Sequence, residues 1–248
     1  MADEHAPGDA ASAGDGVDRV LVVTAHPDDV DFGMAGTVAA WTKAGTEVAY
    51  CIVTDGDAGG SDRSVSRSDM AALRRDEQRA AAAELGVVDV RFLGYPDGRL
   101  AATLDVRRDI SRVIRSFRPD RVVTQSPDRN WERIYASHPD HLATGEAAAC
   151  AVYPDARNPF AHPELLEEGL EPHTVPELWL MAAPHPNRVV DVTESFDAKL
   201  AALRSHRSQV GDGANLEPML REWMGSVARD AGLGDGRLAE AFLVVETR

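Results

Sequence analysis

Short, continuous apolar runs alternate with amphipathic stretches along the first half of the chain. Residues 19–25, centred on Val20-Leu21-Val22-Val23, read as a strand buried on both faces because the run is β-branched and unbroken. Residues 33–44 carry Met34, Val38 and Trp41 at helical spacing and stop at Gly45. A second strand over 47–53 leads into the glycine-rich loop Thr54 to Gly60. An alanine-rich helix over 70–85 ends at Gly86, and a third strand over 87–93 precedes the turn Gly94 to Gly98. Residues 105–117 place Val106, Ile110, Val113, Ile114 and Phe117 on one helical face, and 120–125 form a fourth buried strand.

Strand and helix thus alternate four times, which predicts an α/β fold: a Rossmann-like, doubly wound, mostly parallel sheet with a C-terminal elaboration. Right-handed crossovers bring the loops after the strands to one sheet edge. That edge receives residues 26–31, 55–60, 95–99 and 126–141, the most polar connections in the chain. The active face is located before any motif is considered.

Beyond residue 151 the rhythm weakens. Residues 153–176 hold five prolines and two histidines and read as a long excursion. Residues 177–182 and 188–192 form a hairpin or two short strands, 196–209 and 218–231 helices, and 242–245 a final strand. Without a repeat or a linker, residues 19–248 read as one domain, preceded by a disordered acidic tail over 1–18 instead of a signal peptide.

Composition narrows the partners. The 248 residues are 44% hydrophobic with a formal net charge of −15, which argues against nucleic acid and anionic membranes as partners. No stretch has the length of a membrane span. Cys51 and Cys150 make no disulfide framework; both read as small buried apolar side chains in a reducing cytoplasm. The arginines at 107, 108, 112, 115, 118 and 121 read as a solvated outer face.

Two motifs carry the chemistry. His26-Pro27-Asp28-Asp29 follows the first strand, and Ser137-His138-Pro139-Asp140-His141 opens an alanine-rich helix after the fourth. In each, metal-ligating residue types are spaced three apart: His26 with Asp29, and His138 with His141. Together they offer three ligands and an open position for water, as in a catalytic zinc site. The donor set suits Zn2+ and admits Fe2+, Co2+ or Mn2+. Four candidates compete for three ligand positions. If His26, Asp29 and His141 hold the metal, Asp28 is free to act as base and His138 as acid or oxyanion partner. Asp140 is placed to accept a hydrogen bond from His138 and keep it cationic. A nucleotide site at the first turn has no G-x-G-x-x-G to support it. A phosphoryl-accepting receiver domain would leave the paired His-Pro-Asp motifs without a function.

At these residues the chain resembles the PIG-L/LmbE-like N-acetylglucosaminyl deacetylases. The similarity runs through Ala25 to Asp29, Gly33 to Thr37, Thr54 to Gly60, Arg74-x-x-Glu77, Pro96-Asp97-Gly98 and His138 to His141. It continues through Val190-Asp191-Val192 and Lys199 to Gln209. The resemblance implies zinc on His26, Asp29 and His141, Asp28 as general base and a protonated His138 as electrostatic partner. It also implies contacts from Arg74 and Asp97 to substrate hydroxyls. Val30 stands where many members carry Glu, which makes Asp31 a supporting or capping residue. The reaction implied is release of acetate from an N-acetylglucosamine-type amino sugar or conjugate. The alternative is amidase action on a larger thiol-sugar conjugate. His5, His162, His173, His185 and His206 have no partner motif, and His206 reads as structural.

Overall fold

The central strand β1 (Arg19–Thr24) has Val20 to Val23 fully buried, and its side chains divide between two cores. The computed structural model describes residues 16–60 and 62–248. Val20 and Val22 join the apolar faces of α1 (Asp29–Lys43), α2 (Arg67–Glu84), α6 (Phe196–Ser205) and α8 (Leu216–Asp230). Leu21 and Val23 face α3 (Leu104–Phe117) and α4 (Pro139–Cys150) with its continuation to Val152. The twofold periodicity of a strand therefore builds a sheet covered by helices on both faces.

Seven strands are ordered β3-β2-β1-β4-β5-β7-β6. β2 (Glu47–Thr54), β3 (Asp89–Tyr95), β4 (Arg121–Gln125) and β5 (Glu177–Met181) run parallel to β1. β7 (Ala239–Glu246) is antiparallel to both β5 and β6 (Arg188–Asp191). The expected α/β architecture is thus observed. The strand order reverses between β1 and β4, and the crevice beyond their carboxyl ends is where such sheets bind ligands.

Several local expectations need correction. Of the two readings of 177–192, that of two short strands holds and that of a hairpin does not: β7 lies between β5 and β6, with Phe242 opposite both Met181 and Arg188. Phe242 packs 5.2 Å from Trp179, so the apolar last strand takes the interior position and the short charged β6 the edge. Two of the arginines are buried. Arg115 gathers the carbonyls of Asp155, Ala156, Asn158 and Ala161, tying down the proline-rich excursion. Arg121 lies 4.0 Å from the Trp179 ring and pairs with Glu177. The partners of Arg115 come from a segment with no periodicity to announce it. Cys51 is buried, whereas Cys150 is partly exposed with its thiol near Glu146.

Helix α1 begins four residues earlier than its apolar spacing suggests and breaks at Met34 (φ −155°, ψ 16°). Glu240 from β7 caps the new start, accepting from the amides of Gly36 (3.1 Å) and Thr37 (2.8 Å). Lys199 Nζ bridges Glu240 (2.8 Å) and the Phe32 carbonyl (2.6 Å) at the break. The first turn of α1, which carries the acidic motif, is thereby fixed from the C-terminal half. Most of the supposed tail, residues 1–15, lies outside the described residues, while the carbonyls of Val17 and Asp18 bond to Thr46 and Glu47. No described helix is long and apolar enough to cross a membrane.

Candidate active site and metal centre

The two His-Pro-Asp motifs meet at the β1/β4 crevice. His26 and Asp28 lie in the turn after β1, Asp29 opens α1, and His138 caps α4, whose first turn presents His141. His26 Nδ1 lies 3.3 Å from His141 Nε2 and 3.4 Å from Asp29 Oδ2, and His141 Nε2 lies 3.0 Å from Asp29 Oδ1. Donors held about 2.0–2.2 Å from one ion at tetrahedral angles stand roughly 3.3 Å apart, a spacing that the His26–His141 and His141–Asp29 Oδ1 pairs match, and ring nitrogens of His26, His138 and His141 all lie within 4.8 Å of one another.

What stands behind each donor supports that fit. The far nitrogen of His26, Nε2, faces Asp97 Oδ1 (3.1 Å) and Asp140 Oδ2 (3.3 Å), and His141 Nδ1 faces the Ala136 carbonyl (3.3 Å). Both rings are thus set to present a lone pair inward. Asp29 Oδ2 accepts from Gln125 Nε2 (2.7 Å) and the His26 amide (2.7 Å), leaving Oδ1 toward His141. His138 also lies close, its ring centroid 5.0 Å from that of His26. Its Nδ1 accepts the Asp140 amide (3.2 Å), so only Nε2 is free to face the site.

The structure therefore departs from the expected Asp140–His138 bond. The Asp140 carboxylate accepts from the amides of Gly98 (2.7 Å) and Leu100 (3.2 Å) and turns to His26. Asp97 is similarly committed: one oxygen faces His26 and the other accepts from the Ala58 amide (3.1 Å). Arg74 is buried, bonded to the carbonyls of Pro27 (2.6 Å) and Gly56 (3.1 Å) and to Asp28 Oδ2 (3.0 Å). These contacts join Arg74 to the turn that carries Asp28 and Asp97 to His26. Tyr135 is exposed, its hydroxyl accepting from Arg133.

Four carboxylates surround this pocket against one arginine, an excess that favours a bound cation. Burial lowers the affinity of His26 for a proton, but Asp140, Asp29 and Asp97 outweigh it and raise the imidazole to about 12. His141 is also raised: burial opposes its charge, and Asp29 overcomes that. Burial and the other two imidazoles push His138 down. Asp28 rises to about 6, because burial and the Asp29 charge outweigh Arg74. A carboxylate near that value is poised to exchange protons close to neutrality.

Asp28 adopts a left-handed conformation (φ 83°, ψ −23°), which costs a non-glycine residue roughly 1–3 kcal/mol. Its amide donates to Gln78 Oε1 at 2.7 Å. Sequence reasoning missed Gln78 and Gln125. The available signals were position alone: Gln125 ends β4 at the crevice, and Gln78 lies one helical turn beyond Arg74.

Residues 21–152 match the PIG-L family model, described as GlcNAc-PI de-N-acetylase. The chain is 36% identical over 211 residues to the diacetylchitobiose deacetylase of Thermococcus kodakarensis, covering 83% of this chain and 76% of that protein. It is 32% identical over 198 residues to a probable N-acetyl-α-D-glucosaminyl L-malate deacetylase 2 of Bacillus anthracis, covering 77% and 81%. The solved N,N′-diacetylchitobiose deacetylase of Pyrococcus horikoshii, in complex with an inhibitor, superposes with a TM-score of 0.87 at 34% identity, covering 96% of this chain and 87% of that one. Fold, site and similarity define the class first: the protein is an N-deacetylase, a hydrolase of carbon–nitrogen amide bonds. More specifically, the chain belongs to the PIG-L family of de-N-acetylases.

Proposed function

We propose that residues 19–248 form a cytoplasmic, zinc-dependent enzyme that releases acetate from the N-acetylglucosamine unit of a small sugar or sugar conjugate. The separations of His141 from His26 (3.3 Å) and from Asp29 Oδ1 (3.0 Å), with Asp28 on the same turn, carry this reading. The acetamido-sugar class is supported by the names of the relatives, and the compartment by two free cysteines, which suit a reducing environment.

A zinc ion on His26, Asp29 and His141 would supply Lewis acidity, lowering the pKa of water and polarising the amide carbonyl. Asp28, raised toward neutrality, takes the proton of the attacking water and returns it to the departing amine. Arg74 holds the carboxylate of Asp28 in place and the backbone before it. His138 directs Nε2–H at the developing oxyanion, its tautomer set by the Asp140 amide on Nδ1. Asp97 and Asp140 hold the His26 ring by its far nitrogen.

The test is acetate release from diacetylchitobiose by protein stripped with a chelator and reloaded with defined metals. Zinc is expected to restore turnover in proportion to occupancy. Cleavage of a larger thiol-sugar amide without acetate release from any acetamido sugar would overturn the assignment.

A further inference from the structure

Asp31, unassigned by the mechanism, lies two residues beyond the proposed ligand Asp29 and is fully buried. Its Oδ2 lies 2.8 Å from His206 Nε2 and accepts from Gln78 Nε2 at 2.8 Å. Gln78 spends its other atom, Oε1, on the amide of Asp28. A continuous buried path therefore runs from His206 through Asp31 and Gln78 to the backbone of Asp28.

Each link constrains the next. The Gln78 amide has two orientations, and only one places its oxygen at the Asp28 N–H. The Asp31 carboxylate, which only accepts hydrogen bonds when ionised, selects it by holding the amide nitrogen on the opposite side. His206 supplies the second donor to the same oxygen and so fixes the carboxylate. The imidazole turns inward because the chain breaks between α6 and α7 (Arg207–Val210), with His206 at φ −83° and ψ 56°. Ser208 secures the break against α2, donating to Glu77 from its amide (2.8 Å) and hydroxyl (2.6 Å).

The arrangement carries a cost that packing alone would not retain. Asp31 Oδ1 and His206 Nδ1 are both buried without a hydrogen-bond partner. Apolar residues of like volume would fill the same space without that penalty. What the polar path provides is a fixed acceptor for the amide of a residue held in the left-handed region.

We infer that His206 and Asp31 are positioning residues that hold Asp28 in its working conformation through Gln78. This rests on Asp28 as the base, and it gives the break between α6 and α7 a part in the reaction through Asp28 alone.

The experiment measures kcat and KM for acetate release from diacetylchitobiose by the zinc-loaded enzyme. It adds metal content and hydrogen-exchange protection of the Asp28 amide. Gln78→Met and His206→Leu should each lower kcat about 10- to 100-fold, with KM and metal content unchanged and Asp28 protection reduced. The double variant should fall no further than Gln78→Met alone. His206→Gln, which keeps an N–H for Asp31, should recover to within a few-fold of the parent. Additive losses, or wild-type kcat in either folded single variant, would overturn the inference. Should His206→Leu fail to fold, the Gln78→Met and His206→Gln measurements decide the matter by the same criteria. Asp28→Asn separates the two levels: if it keeps turnover, the base assignment fails. If it is inactive while Gln78→Met is unaffected, only the positioning path fails.

Discussion

Arg74 Nη2 lies 3.0 Å from the Asp28 carboxylate and 2.6 Å from the carbonyl of Pro27, so one nitrogen holds both the proposed base and the turn that carries it. Arg74→Ala should lower kcat by at least tenfold. It also leaves the Pro27 and Gly56 carbonyls without this donor, at a cost of about 1–3 kcal/mol each, measurable by urea denaturation. Arg74→Lys should restore little, since an ammonium does not reproduce the fixed fork that serves three acceptors.

The packing of α4 on the end of β4 depends on Gly145, where a Cβ would overlap the Gln125 carbonyl and crowd the Pro127 nitrogen. Gly145→Ala should therefore move His141 relative to Asp29, which Gln125 orients. We expect zinc affinity to fall about 10- to 100-fold, read by chelator competition, with stability lowered by about 1–3 kcal/mol. Unchanged affinity would separate the helix contact from the metal centre.

Most of this arrangement is legible in the sequence, and the boundary of legibility has a physical cause. β-branched runs such as Val20 to Val23 identify buried strands wherever they fold, and alternation with helices sets the sheet edge that receives both His-Pro-Asp motifs. Periodicity carries no information about which side chains meet across 100 residues. Hence Gln125 at Asp29, Gln78 at Asp28 and His206 at Asp31 are visible only in three dimensions. The same limit explains the misread partner of Asp140: adjacency in sequence pointed to His138, while the turn at Gly98 draws the carboxylate to His26. The C-terminal strands were ambiguous because 188–192 and 242–245 are too short to specify register.

Metal binding should be proton-linked. His26 is raised to about 12 and His141 is raised from 6.5, so at neutral pH the metal-free site holds protons that a cation must expel. Affinity should rise with pH, by up to about tenfold per pH unit for each proton displaced. Competition titrations between pH 6 and 8 check the slope. A flat profile would mean that the imidazoles are already neutral.

Activity should depend on pH through Asp28. Its carboxylate must be ionised to accept a proton, so kcat/KM falls as pH drops through its pKa. Burial and Asp29 raise that value from 3.8 to about 6, and a bound cation opposes them, so the acidic limb should lie between these values. A pH–rate profile on fully metal-loaded enzyme locates it, and a limb above this window would point to another titrating group.

On the proposed mechanism His26, Asp29 and His141 hold the metal while Asp28 performs proton transfer. Zinc stoichiometry and acetate release from diacetylchitobiose, measured together on the parent, Asp28→Asn and His141→Ala, test it most directly. About one zinc and full turnover are expected for the parent, retained zinc with turnover reduced at least 100-fold for Asp28→Asn, and loss of both for His141→Ala. Wild-type turnover in Asp28→Asn, or undiminished zinc binding in His141→Ala, would contradict it.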